Sequence, residues 1–135
     1  MLKQKANSQS VSEFSESAAV ISVGDESPMF IDLAASLVEI RKLDGILGYI
    51  LRNNTSAIID LTEQDKIIDY AIISSSSIDA GQALSELFDL GQAKNVAVEG
   101  KNMKMLSFTL EENKISVFMD KNVDSEKILK KLCGL

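Results

Sequence analysis

The chain has 135 residues, 45% hydrophobic and 25% charged, with a formal net charge of −6 and no histidine. That length suggests one domain, able to bury roughly two-thirds of its unfolded surface without a disulfide or metal staple. Residues 1–27 carry two basic and four acidic side chains and residues 28–135 carry twelve and sixteen, so the acidity is spread and no cationic cluster offers itself to a phosphate backbone.

Nucleic acid is therefore not an expected partner. No apolar run approaches the roughly 20 residues of a membrane span, and the N-terminus lacks the central apolar stretch of a secretory signal. One cysteine, Cys133, cannot form an internal disulfide and fits a reducing compartment. A cytoplasmic protein without membrane insertion is expected, with Cys133 a small hydrophobe on the last helix.

In chain order, residues 1–17 are polar and serine-rich, without sustained period, and read as a flexible tail. Residues 18–27 form a lead-in segment in which Ala18 to Val23 is a short strand or an apolar approach to the domain. The domain proper spans residues 28–135. Ser27 suits an N-cap and Pro28 a first helical position. Phe30, Leu33, Leu37 and Ile40 then follow at helical spacing, with a stop at Gly45.

The stretch ILGYILRN, a turn at Asn54 and Thr55, and AIIDL make a hairpin signal. From about Ile67 to Leu90 the period turns helical. Tyr70, Ile73, Ser77, Ala80, Leu84 and Leu87 form the stripe expected to face the sheet, and Gly91 closes the helix. KNVAVEG, MKMLSFTL and KISVFMD read as three strands joined by tight turns, and Asp124 caps a last helix with Val123 and Ile128 at staple positions.

The element order is α-β-β-α-β-β-β-α, an α/β (α+β) fold with an antiparallel sheet of five strands. Three of those strands are apolar on both faces, so helices should cover both sides in a three-layer sandwich.

The residues offer little chemistry. Without histidine, the commonest general base and metal ligand is missing, and so are histidine-dependent triads. One cysteine excludes a thiolate zinc site, and no phosphate-cradling loop of the nucleotide-hydrolase type occurs. Asp60, Glu63, Asp65 and Asp69 could ligate a hard cation, but they lack the glycine and rhythm of a calcium loop and read better as a solvated segment. Gly45-x-x-Gly48 is spaced like an RNA-clamping loop but has only Arg41 and Lys42 nearby, so both glycines read as structural. No catalytic, cofactor or metal residue is expected, and the chain reads as no enzyme.

The unusual feature is Ser74 to Ser77 in mid-helix. Either the helix breaks there, or small side chains let a neighbour approach and bond back to the helix. Ile72, Ser76 and Ala83 form a second edge, suited to a symmetry mate. Strand NVAVE, with Val96 and Val98, is a short apolar edge that invites pairing. Ser75, Asp79, Gln82 and Glu86 recur on a face expected to point away from the sheet, either as a solvated face or as an acidic platform for a partner.

LVEIRKLDGILGYIL resembles the opening of the roadblock family, named after the dynein light chain. KNVAVEG, KISVFMDK and NVDSEKILKKL are similar to that family's third strand, fifth strand and last helix. The likeness covers about Pro28 to Leu135. It departs at the first hairpin turn, where Asn-Asn-Thr-Ser replaces the usual glycine. The resemblance implies a profilin-like, roadblock architecture, with the long central helix on one face of the sheet and the terminal helices on the other. It implies a homodimer through the third strand and central helix. It also implies a non-catalytic scaffold or regulator for a Ras-like small GTPase, some bacterial relatives stimulating hydrolysis by rearranging the GTPase. The rival reading is a PAS-like small-molecule sensor, which would need an internal cavity. The sequence does not say which GTPase is bound, whether it is activated or only held, or whether the pair is homo- or heterodimeric.

Overall fold

A computed structural model describes residues 18–22, 28–91 and 95–133. The tail expected at 1–17, the N-cap at Ser27 and the stop at Gly134 lie outside the described residues. The elements are β1 (Ala18–Ser22), α1 (Pro28–Arg41), β2 (Ile46–Arg52), β3 (Ser56–Leu61), α2 (Ile67–Leu87), β4 (Asn95–Glu99), β5 (Met103–Leu110), β6 (Asn113–Asp120) and α3 (Ser125–Cys133). A short 3-10 turn, Gln64–Lys66, leads into α2.

The five strands β2–β6 and three helices follow the expected order. The lead-in adds a sixth strand, β1, antiparallel to β3 and pairing Ala18 with Asp60 through Ser22 with Ser56. The sheet order is β1-β3-β2-β6-β5-β4, antiparallel throughout. β1 is therefore one edge and β4 the other.

Each turn has a physical cause. After Arg41, Gly45 turns the chain at φ 86°, and a Cβ there would lie 2.6 Å from Val123 Cγ2. Gly48 sits at φ 156° in a bulge against β6, and a Cβ there would meet the Asp60 carbonyl oxygen at 2.4 Å. Its close neighbour is thus strand β3 rather than an overlying helix. In the β2–β3 turn the Asn53 carboxamide replaces the missing glycine: its Oδ1 accepts from the backbone N–H of Thr55 and of Ser56, each at 2.9 Å. Asp124 caps α3, accepting from the Glu126 N–H at 3.0 Å.

α1 and α3 cover one face of the sheet. Phe30, Leu33, Leu37 and Ile40 of α1 and Ile128 and Leu132 of α3 bury against Tyr49, Leu51, Ile58, Phe108, Ile115 and Val117. α2 covers the other face, where Ile50, Leu61, Met105 and Phe118 meet Ile67, Tyr70 and Ala71.

α2 is one unbroken helix through Ser74–Ser77, and its rotation differs from the expected one. Ser74 and Ser85 are its buried residues, while Ile73, Ala80, Leu84 and Leu87 are exposed. The sheet itself explains this. Beneath α2 lie the buried hydroxyls of Ser107 and Ser116, and Ser74 Oγ reaches Ser116 Oγ at 2.5 Å while Ser107 Oγ reaches Ser116 Oγ at 2.7 Å. Polar groups buried in the sheet need polar partners, so the serine side of the helix turns inward and the apolar side outward. α2 also ends earlier than Gly91. Asp89 takes φ 55°, and Leu90 N–H donates to the Ser85 carbonyl at 2.8 Å, the bonding pattern of a Schellman cap.

Candidate functional site

The outward side of α2 and the turn after it carry most of the exposed large hydrophobic residues among those described: Ile68 73%, Ile72 58%, Leu84 54%, Leu87 74%, Phe88 63% and Leu90 70%. Exposed apolar side chains gathered on one side of a helix make it the candidate interaction surface.

At about 100° per residue, α2 presents three directions besides the sheet. Its outermost line holds Ile72, Ser76, Ala83 and Leu87, all exposed. One flank holds Ser75, Asp79, Gln82 and Glu86. Ser75 Oγ accepts a hydrogen bond from Arg52 Nη2 at 3.0 Å, so this flank meets β2 at Ser75. Gln82, further along the same flank, lines a cleft with Asn95 and Val96 of β4, so this flank runs from β2 at Ser75 to β4 at Gln82. The opposite flank holds Ile73, Ser77, Ala80 and Leu84. Val96 lies on the same side of the sheet, near Ile78 and Gln82, and Val98, two residues on, shares that side and is 45% exposed.

The structure thus places Val96 and Val98 on the edge strand β4, with Val96 in the cleft that Ile78 and Gln82 line. Ile72, Ser76 and Ala83 run along the crest of the helix. Ser75 and Gln82 are half-buried and Asp79 and Glu86 exposed. The Ser75–Glu86 set is consequently a side flank and not the face opposite the sheet, because the rotation forced by the buried serines carries it a quarter-turn down. Sequence periodicity missed Ile73 and Leu84 as surface residues: an apolar stripe looks the same whether it faces its own sheet or a neighbour.

Away from this surface, the polar groups do structural work. Arg41 Nε meets Asp60 Oδ1 at 3.3 Å, and its two terminal nitrogens donate to the Ile46 carbonyl and to Thr62 Oγ1, each at 2.9 Å. This ties the end of α1 to the start of β2 and the end of β3. Tyr49 stands opposite Asp60 with its hydroxyl buried and unpartnered. Burial first, then the Asp60 carboxylate, push its phenol well above the ordinary range, against the opposing effect of Arg41. Burial likewise raises the Cys133 thiol, which makes it a poorer nucleophile.

Among the described residues, no group of three or more carboxylates and thiols is placed to hold a metal ion. No helix among them is long and apolar enough to cross a membrane. The cleft where Ile78 and Gln82 face Asn95, Val96 and Thr109 has about 20 Å³ of room, space for one water. That is far below what a heterocyclic cofactor fills.

No protein-family model matches the sequence, and no curated protein does. Solved structures do match the fold. The roadblock/LC7 domain from Streptomyces avermitilis superposes with a TM-score of 0.62 at 14% identity, over 79% of this chain and 90% of that one. MglB of Myxococcus xanthus gives 0.61 at 15% identity, over 82% and 89%. An MglB with a tetrameric arrangement gives 0.60 at 16% identity, over 82% and 85%. The chain has the roadblock fold.

Proposed function

We propose that this roadblock-fold chain is a non-catalytic, self-pairing platform for a Ras-like small GTPase. The observation that carries the reading is the set of exposed apolar residues that α2 turns away from its own sheet, on the same side of the sheet as Val96 and Val98 of the edge strand β4. A free edge with alternate apolar residues pairs readily with another strand. Two copies joined β4 to β4 would bring their α2 helices side by side. Ile73 and Leu84 would then lie at the seam, Val96 and Val98 beneath it, and Ile72, Ser76 and Ala83 along its upper rim. A two-fold contact of this kind is self-complementary.

The GTPase would sit across the paired helices, meeting Leu87 and Ile68 and the acidic flank of Asp79 and Glu86, with Ser75 and Gln82 at its foot. The GTPase is the partner that the roadblock likeness implies, and the fold's likeness to the MglB structures supports it. The lack of histidine and the raised Cys133 thiol fit a platform better than a catalyst. Such a protein would act in the cytoplasm and need no cofactor.

Capture from native lysate on the immobilised chain, with GTP or GDP present and mass spectrometry of the eluate, tests the reading. A Ras-like GTPase enriched in one nucleotide state is the expected result. Phosphate release by that GTPase with and without the chain then separates an activator from a scaffold. Charge reversal of Asp79 and Glu86 together should weaken capture, mainly through the association rate. Unchanged affinity in that variant would move the binding site off this flank.

A further inference from the structure

The Ser75–Glu86 flank of α2 overlies two cations that have no ion-pair partner among the described residues. Arg52 ends β2 and stands directly opposite Lys114 in the β2–β6 ladder. Their neighbours Leu51 and Ile115 belong to the core under α1 and α3, so strand alternation turns Arg52 and Lys114 to the α2 side. Residues opposed in this way have Cβ atoms about 5 Å apart, and like charges there repel.

Four cations among the described residues are half-buried: Arg41, Arg52, Lys104 and Lys114. Arg41 has Asp60 at 3.3 Å and Lys104 has Glu99 at 3.9 Å. Arg52 and Lys114 have no carboxylate at ion-pair distance among the described residues, Asp79 and the exposed Glu111 and Glu112 included. Arg52 Nη2 is held by Ser75 Oγ at 3.0 Å, and the rest of its fork makes no further side-chain hydrogen bond among the described residues. Thr109, opposite Lys114 on β5, brings a hydroxyl to the same side.

We propose that Arg52 and Lys114 form a receptor for one carboxylate, an Asp or Glu side chain presented by the bound partner. A guanidinium fork matches the two oxygens of a carboxylate, and the ammonium supplies a second charge-assisted donor. Two cations with Asp79 one turn along the same flank balance a single negative charge better than a doubly charged phosphoryl group. The partner's footprint then runs from the apolar crest of α2 down this flank, with a basic group over Asp79 or Glu86 and an acidic one over Arg52 and Lys114. Such alternation fixes the register of the complex. This inference rests on the platform reading for its partner, but the receptor itself can be tested without one.

The test titrates the full-length, 15N-labelled chain with sodium acetate and, separately, with inorganic phosphate, at ionic strength fixed with chloride. The Arg52 Nε–H and Ser75 amide signals are followed by NMR, and thermal midpoints are read in parallel. Saturable acetate shifts are expected, about tenfold weaker or worse in Lys114→Gln. Lys114→Gln relieves the repulsion, so its midpoint should equal or exceed that of the unmodified chain, and acetate should raise only the latter. Shifts that stay linear and match chloride, saturation by phosphate alone, or equal acetate affinity in Lys114→Gln would each overturn the receptor. Because the probes are small anions, a failure of this titration leaves the GTPase reading standing, and a failed lysate capture leaves the receptor standing.

Discussion

On one side of the sheet, α1 and α3 bury Phe30, Leu33, Leu37, Ile40, Ile128 and Leu132 and leave few large apolar groups outside. On the other, α2 is the longest helix among the described residues, yet it packs chiefly through its first turns and a row of serine hydroxyls. A layer that spends its small polar residues inward and its leucines and isoleucines outward is what the proposed pairing would cover. On the proposed reading the closed face sets stability and the open face sets association, so substitutions should separate along that line.

The largest effect on stability belongs to the closed face. Leu37 is fully buried, and Leu37→Ala should cost about 2–5 kcal/mol in urea unfolding. Next comes the junction of the two faces. Gly48→Val forces a side chain against the Asp60 carbonyl and should cost about 1–3 kcal/mol or more. If Gly48→Val left stability unchanged and abolished partner capture instead, the glycine would be part of a site. Asp89→Gly relieves a left-handed conformation at the end of α2 and should stabilise the fold by about 1 kcal/mol, seen as a higher urea midpoint with the same slope. The smallest shift is expected at Leu87→Ala, within about 0.5 kcal/mol under conditions where the chain is monomeric. A large loss there would mean that Leu87 packs against the body of the domain and that α2 is rotated toward the sheet.

The closed face was legible from the sequence because its signals are local and mutually consistent. Phe30 to Ile40 at helical spacing, the Asp124 cap and the alternation in β5 and β6 each point to one structure. The hairpin turn was legible in position but not in mechanism, since the Asn53 carboxamide does what a glycine does elsewhere. The open face was half legible. Ile72, Ser76 and Ala83 were separable as an outward edge, yet Ile73, Leu84 and Leu87 read as core. Periodicity reports that a stripe is apolar and does not report what covers it. The decisive facts, the hydroxyls of Ser107 and Ser116 facing Ser74, join residues up to 42 positions apart. The Arg52–Lys114 pair is likewise a product of strand register and has no sequence-local signature.

The platform proposed for the open face depends on a second copy completing it. Light scattering on the full chain eluting from a size-exclusion column, over a range of micromolar concentrations and beside Leu84→Arg, decides whether it does. Twice the chain mass is expected for the unmodified protein and the single-chain mass for Leu84→Arg, with both folded by circular dichroism. A single-chain mass for the unmodified protein at the highest concentration would refute self-pairing, and a dimer that survives Leu84→Arg would refute pairing through this face.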